Sequence, residues 1–550
     1  MRVLGINAIF HDPAAALVVD GEIVAAAEEE RFTRRKHGKR PVPFAAWELP
    51  ERAARWCLQS AGIGPDDLDA VAYSYDPALV RPDVGGLDER WEDLRTTYAR
   101  RAPHFLATAL PELDPAVVHF VPHHLAHAAS AGLAAPFRDS AVLVADGRGE
   151  ATSYLAGRYR DGELDVLASQ ELPHSLGLMY EEVTDHLGFL RSSDEYKVMA
   201  LASYGRQPGT EPALLPTLRD LIYPTGDGGF VVRPIDWSEL AKRRPPDEEL
   251  QPEHVELAAA VQVRLEEVLL ELASWLHRRT GERRLAMAGG VALNCVANTR
   301  LAAQGPFDEV WVQPAAGDAG TALGGALHLA QSFGEPITPM PGADLGRGFS
   351  DDELTRWLDD AHIRYERPPD AAAAAAEALA ADAIVAWFQG RSEFGPRALG
   401  HRSLLAHPGH ARNLDRLNAV KGREQFRPVA PMVLAERAAE LFNRGPLPSP
   451  YMLFVHDVAP RWRDRIPAVV HVDGTARIQT IDRDSEPLLA RLLDRFAELT
   501  GLPTVVNTSL NTAGRPMVDD PRDALECFGS APVDVLVLGP FVVRRCELTR

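Results

Sequence analysis

Residues 121–146, VPHHLAHAASAGLAAPFRDSAVLVAD, hold the densest set of groups that could do chemistry. His123 and His127 lie four apart, the spacing that stacks two imidazoles on one face of a helix. The stretch closes with Asp146, at the end of an apolar run (residues 141–145) that reads as a buried strand with a carboxylate at its tip. On its own, a histidine pair at this spacing is more often a hydrogen-bonded surface feature. Gly147 after Asp146, and a second aspartate, Asp318, in a glycine-rich turn, strengthen the other reading. Two imidazoles with carboxylates suit a first-row transition metal, and an N/O donor set with open positions suits a catalytic centre better than a structural one.

A second concentration of chemistry lies far along the chain. Residues 391–427 carry eight Lys or Arg against three acids, in a protein whose net charge is −20. Within GRSEFGPRALGHRS (390–403) the arginines alternate with Phe, Leu, Gly and Pro. That pattern reads as a loop lining a cleft, where a solvated charged helix would be the ordinary alternative. Guanidinium groups there suit bidentate grips on phosphate or carboxylate. NTSLN (507–511) follows a strand directly and can add amide and hydroxyl donors to the same anion.

The elements that must position these groups follow from periodicity and turns. Residues 3–6, 14–19 and 23–27 read as strands, with Asp20-Gly21 as a hairpin turn. Residues 142–145, 152–156 and 164–168 repeat that layout, with a hairpin at Asp161-Gly162. Two copies of strand, polar turn, strand, Asp-Gly hairpin, strand predict an internal duplication. Residues 253–278 read as a core helix with one apolar stripe. Strands at 285–288 and 310–312 each run into a glycine-rich turn that opens a helix, at Gly289-Gly290 and Gly317-Asp318. No Walker A pattern is present, so phosphate would be held by these turns. A Pro- and Gly-rich stretch, residues 331–350, marks a domain boundary. Beyond it come an Ala-rich helix near 370–382 and strands near 384–388, 503–506 and 533–538, an α/β pattern.

At 550 residues the chain is too long for one core and predicts two or three domains. The acidic charge argues against nucleic acid as a partner. No run approaches the roughly 20 apolar residues needed to span a bilayer, and no signal peptide opens the chain. Cys57, Cys295, Cys527 and Cys546 form no CxxC pair, which excludes a cysteine zinc site and fits a reducing compartment. A cytoplasmic, soluble protein with no membrane partner is expected.

FHD at 10–12, EEERFTRRKHG at 28–38, HHLAHA at 123–128, DEYKVMALASYG at 194–205, GGVALNC at 289–295, GDAG at 317–320, GRSEFGPRALGHRS at 390–403 and NTSLN at 507–511 run in order over essentially the whole chain. Together they closely resemble the O-carbamoyltransferases of the nodulation and antibiotic-tailoring type. Tyr196 and Ala200 stand where that family often has glycine. The resemblance implies an α/β architecture: a duplicated ribonuclease H-like domain of the actin, sugar-kinase and heat-shock ATPase type over residues 1–345, then a YrdC-like domain over residues 346–550.

It also implies a two-step reaction, in which carbamoyl phosphate and ATP with Mg2+ give carbamoyladenylate, and the carbamoyl group then passes to a hydroxyl of a small-molecule acceptor. Carried onto this chain, His123, His127, Asp146 and Asp318 are the ligands of an iron ion. His11 is the base for the acceptor hydroxyl, and Lys36 a partner for carbamoyl or phosphate oxygens. Gly147, Gly289, Gly290, Asn294 and Gly317 form the nucleotide cradle. Arg397, Arg402, Lys421, Arg427, Arg477 and Ser509 grip carbamoyl phosphate and ATP.

The chemistry accords with these roles. Carbamoyl transfer builds negative charge on oxygen, which a metal and a lysine stabilise where it develops. A base near pKa 7 contributes on the order of 10²–10⁴ in rate to an alcohol nucleophile, although a turn residue bonding its own backbone remains the alternative for His11. A hydrolysis-prone intermediate gives a reason for a closed passage joining the domains. Rival readings are a sugar-kinase-like phosphotransferase, a tRNA threonylcarbamoyl-type transferase and a binding module without turnover. The region near residues 73–111 is expected to shape the acceptor pocket, and its Trp91, Tyr98 and Phe105 suggest a sugar or polyketide scaffold for the acceptor. Its identity and the oligomeric state, a homodimer included, stay open.

Overall fold

The computed structural model describes residues 1–38, 48–81, 89–206 and 209–545. Cys546 lies outside them. The chain divides into two compact units, residues 1–341 and 342–550.

The first unit begins with β1 (Arg2–Asn7), β2 (Ala14–Val19), β3 (Glu22–Glu28), β4 (Ala70–Tyr73) and β5 (Val118–Phe120). They form one sheet in the order β3-β2-β1-β4-β5. β1 pairs antiparallel with β2 and parallel with β4, β2 pairs antiparallel with β3, and β4 pairs parallel with β5. The second set is β6 (Ser140–Ala145), β7 (Thr152–Arg160) and β8 (Glu163–Glu171). A hairpin of β9 (Ile222–Pro224) and β10 (Phe230–Val232) follows, then β11 (Arg284–Ala288) and β12 (Glu309–Val312). Its sheet order is β12-β11-β6-β7-β8, with the same pattern of parallel and antiparallel neighbours. The duplication expected from the two Asp-Gly hairpins is therefore a duplication of topology. β1 and β6 are apolar almost throughout because each sheet is covered on both faces.

Two helices tie the halves together by crossing over. Helix His123–Gly132 follows the first sheet in sequence but packs on β6, β7 and β11 of the second. Helix Ala319–Ser332 follows the second sheet but packs on β1, β2 and β4 of the first. They meet at Gly324, where an added Cβ would lie 1.8 Å from the Ala126 carbonyl oxygen. Gly5 in β1 is equally confined, with a Cβ reaching 1.8 Å from the Ala322 carbonyl. The long helix Pro252–Thr280 matches the apolar stripe read at 253–278.

The second unit is built on β13 (Val385–Phe388), β14 (Arg402–Ala406) and β15 (Ala430–Leu434). A small sheet of β16 (Phe442–Asn443), β17 (His456–Val458) and β18 (Thr475–Ala476) comes next, then β19 (Gln479–Ile481), β20 (Thr504–Ser509), β21 (Val535–Leu538) and β22 (Phe541–Arg544). The main sheet is mixed, in the order β19-β15-β20-β14-β13-β21-β22. This is the α/β character expected of the YrdC-like part. β14 and β15 arise inside and just after the basic segment, and the loop read at 390–403 turns into strand at Arg402. Among the described residues no helix is long and apolar enough to cross a membrane.

Replacing Gly324 by Ala should destabilise the protein by about 3 kcal/mol or more, because the new methyl meets backbone on the facing helix. Gly529→Ala, with nothing within 4 Å of the added carbon, should leave thermal unfolding unchanged or slightly raised. Calorimetry of the two variants checks this.

Candidate functional site

Four side chains converge from three elements. His123 and His127 stand on helix His123–Gly132, Asp146 follows β6, and Asp318 precedes helix Ala319–Ser332. All are buried, at most 5% exposed. One ligand atom from each lies within 4.8 Å of all the others. Nε2 of His123 is 3.5 Å from Asp146 and 3.7 Å from Asp318, and Nε2 of His127 is 3.9 and 3.7 Å from the same two carboxylates. These gaps are long for hydrogen bonds. They suit donors that share one ion at about 2.0–2.2 Å each. Both Nε2 atoms and Asp318 Oδ2 are buried without a hydrogen-bond partner. Orphaned polar atoms cost roughly 1–3 kcal/mol apiece, a cost that a bound cation removes. The residues present therefore fit a metal ion.

The electrostatics point the same way. Burial works against a charged His123, but Asp146 and Asp318 outweigh it and carry its pKa up to about 9. Burial alone would raise the Asp146 carboxyl, yet the neighbouring imidazoles hold it well below the usual range. The pocket thus favours positive charge between its carboxylates. His124, the third histidine of the motif, is pushed down to about 3 by burial and by His123. Its Nδ1 lies 2.7 Å from Thr152 Oγ1, and it stands outside the ligand set.

Surrounding groups aim the ligands. Nδ1–H of His123 donates to the Ser74 carbonyl at 3.2 Å, which leaves Nε2 as the ligand atom. The N–H of Gly290 donates to Asp146 Oδ1 at 2.8 Å. Glu150 Oε1 accepts from the backbone N–H of both His123 and Asp76, each at 2.8 Å. Glu150 was not legible beforehand, since its partners are 27 and 74 residues away and a lone acid after a glycine turn carries no spacing signal.

The glycine-rich turns border the same place. Gly289 has φ 92°, and a Cβ there would lie 2.2 Å from the Ala145 carbonyl, so glycine lets this turn sit on the end of β6. Gly147 and Gly317 leave more room, with the nearest atoms at 3.4 Å (Glu181) and 3.7 Å (Leu293) from an added Cβ. The Asn294 side chain departs from the cradle reading. Its Oδ1 caps helix Cys295–Gln304 through Ala297 N–H at 3.0 Å, and its Nδ2 donates to Gln262 at 2.8 Å, so the amide is occupied inside the protein. His11 reaches the cluster, with Nε2 3.7 Å from Asp318 Oδ2. Lys36 is partly buried in the short turn Lys36–Gly38. Of the aromatics expected around an acceptor, Tyr98 and Phe105 stack on each other at 4.8 Å against the core, and Trp91 is 42% exposed. Residues 82–88 of that region lie outside the described residues.

In the second unit, register brings most of the expected anion grips to one end of four neighbouring strands. β15 and β14 run antiparallel to β20, pairing Ala430 with Asn507 and Ser403 with Ser509, and β19 runs parallel to β15. Arg427 ahead of β15, Arg477 ahead of β19 and Ser509 at the end of β20 therefore share an edge. Lys421 joins them, its Nζ donating to the Ser509 carbonyl at 2.6 Å and hydroxyl at 2.7 Å, and to Asn511. The loop carrying Arg397 is laid over the same strands, because Asn507 and Gln479 donate to the carbonyls of Ala398 and Leu399 at 3.2 and 2.7 Å.

Arg402 stands apart from the other arginines expected to grip an anion. It is fully buried, lies 3.7 Å over the Phe388 ring, and donates to the carbonyls of Gln389, Gly390, His401, Arg347 and Asp519. Carbonyls take up its guanidinium, so in this structure it cements the loop.

The chain matches the family descriptions carbamoyltransferase N-terminus over residues 2–327 and carbamoyltransferase C-terminus over residues 376–545. An uncharacterized protein of Synechocystis sp. is 37% identical, over 99% of this chain and 97% of its own length. The nodulation protein NolNO of Sinorhizobium fredii is 38% identical over 98% of this chain and 80% of its own. Nodulation protein NolO of Bradyrhizobium diazoefficiens is 40% identical over 77% and 78%.

Removing one ligand should cost the protein its metal. Elemental analysis of protein purified from metal-supplemented medium should find about one equivalent in the wild type, and at least tenfold less in His127→Ala and Asp318→Asn. Equal metal in all three would exclude this cluster as the site.

Proposed function

The chain belongs to the carbamoyltransferase family, and on that premise we propose that it is an ATP-dependent O-carbamoyltransferase whose two units carry different half-reactions. In the second unit Lys421, Arg397, Arg427 and Arg477, with Ser509 and Asn511, hold the phosphoryl oxygens of carbamoyl phosphate and of ATP with its Mg2+. Water cleaves carbamoyl phosphate there into carbamate and inorganic phosphate, and the carbamate oxygen then attacks the α-phosphorus of ATP, breaking its bond to the bridging oxygen and giving carbamoyladenylate and pyrophosphate. Guanidinium and ammonium groups suit this step because its charge develops on phosphoryl oxygens.

In the first unit His11 accepts the proton of an alcohol. The alcohol oxygen attacks the carbamoyl carbon, the bond from that carbon to the phosphate oxygen breaks, and AMP leaves. Lys36 faces the carbamoyl or phosphate oxygens. His123, His127, Asp146 and Asp318 would hold a first-row ion, iron in our reading, which when bound would offset negative charge on the adenylate phosphate. The acceptor is a small hydroxylated natural product, and the reaction belongs to the cytoplasm. The observation that carries the reading is the buried ligand cluster with its unpartnered nitrogens, beside a histidine 3.7 Å away.

Incubation with ATP, carbamoyl phosphate and a panel of hydroxylated natural products, followed by mass spectrometry, tests it. A product heavier by one carbamoyl group, with AMP and pyrophosphate released, is expected. A product heavier by a phosphoryl group, formed without carbamoyl phosphate, would show a sugar-kinase-like enzyme instead. His127→Ala should lose acceptor carbamoylation at least about 100-fold while still releasing pyrophosphate in the presence of carbamoyl phosphate. Arg397→Ala should lose pyrophosphate release itself. Loss of the same half-reaction in both would refute the division of labour.

A further inference from the structure

We infer that Asp12 and His37 form a brace that fixes the orientation and tautomer of His11, which makes them positioning residues for the transfer step. The inference rests on the preceding reading of His11 as the base. His11 Nδ1 lies 2.8 Å from Asp12 Oδ2, and the other oxygen of the same carboxylate lies 2.7 Å from His37 Nδ1. An ionised carboxylate only accepts, so both Nδ1 atoms donate to it. His11 therefore carries its proton on Nδ1 and keeps the Nε2 lone pair, which is turned toward Asp318 and the ligand cluster. Burial pushes the Asp12 carboxyl up, but the two imidazoles more than offset this and hold it well below its ordinary range.

The backbone around the brace is held in conformations that side chains rarely adopt. Phe10, Asp12 and His37 have φ of 59°, 52° and 59°, in the left-handed region that non-glycine residues visit at a cost. Three such residues at one spot persist because the surroundings over-determine them. Buried Asn7 donates to the carbonyls of both His11 and Asp12 at 2.9 Å. Asp12 N–H donates to the His37 carbonyl at 3.3 Å, and His37 N–H to Glu30 at 2.9 Å. The FHD and KHG motifs gave His11 and Lys36 roles but left Asp12 and His37 without one. The brace joins those two across 25 residues. In the transfer step the alcohol proton moves to His11 Nε2 as the new C–O bond forms, and the Asp12 carboxylate stabilises the resulting imidazolium.

The test compares variants of the full metal-loaded chain on whichever compound the wild type carbamoylates in the panel. Asp12→Asn should lower kcat for transfer by about 10²–10³-fold, with the acceptor KM within about twofold and with metal content and pyrophosphate release unchanged. His37→Gln, which keeps an N–H on Asp12, should be about fivefold more active than His37→Ala. Full activity in Asp12→Asn overturns the brace. So does a loss accompanied by a raised KM or by a missing metal equivalent, which would mark Asp12, Glu30 and His37 as a cation site or as scaffold. If Asp12→Asn does not fold, the His37 pair decides, and equal activities overturn the proposal. A wild type that carbamoylates nothing overturns the function itself, an outcome distinct from an active wild type with indifferent variants.

Discussion

One close contact organises the first unit: helix Ala319–Ser332 approaches helix His123–Gly132 so nearly that Gly324 leaves no space for a methyl group over the Ala126 carbonyl. Each helix belongs in sequence to one sheet and in space to the other. Their contact therefore sets where Asp318, just ahead of one helix, stands relative to His123 and His127 on the other. Asp146 enters from the tip of β6, on which the histidine helix also packs. A cluster of buried atoms 3.5–3.9 Å apart requires placement to a few tenths of an ångström. Close-packed backbone supplies this where longer side-chain contacts would give way.

The two sites answer opposite electrostatic problems. In the first unit, carboxylates and orphaned imidazole nitrogens are buried together, and the balance of burial against charge leaves a place that favours a cation. In the second unit the side chains proposed to grip an anion are mostly cationic and gathered at one end of the sheet, with Lys421 already bonded to three oxygens. An anion arriving there would have to compete with those oxygens for the ammonium. Both stand out locally against a chain of −20 net charge.

Much of this was legible in the residues. The i, i+4 histidine pair lies on a helix as its spacing requires. The repeated Asp-Gly hairpins announced the duplicated sheets because turn chemistry is local. Position in the sequence told less about function where a side chain's partners are distant. Arg402 looked like its arginine neighbours, but five carbonyls from separate loops decide its fate. Asn294 sits in a glycine-rich turn that suits phosphate, yet Gln262, on a helix 32 residues earlier, takes its amide. β14 was masked by the basic residue that opens it. Glu150 and His37 act through contacts that no periodicity encodes.

Glu150 bridges the two halves of the duplicated unit. It stands on the turn after β6, in the second half of the duplicated unit, and binds backbone of the first half at Asp76 as well as the start of the histidine helix. Any displacement of one half against the other would disturb the same carboxylate that seats His123, so the pairing of the halves and the placement of the histidine helix share one side chain. Glu150 is thereby a clasp between the halves as well as a seat for the helix.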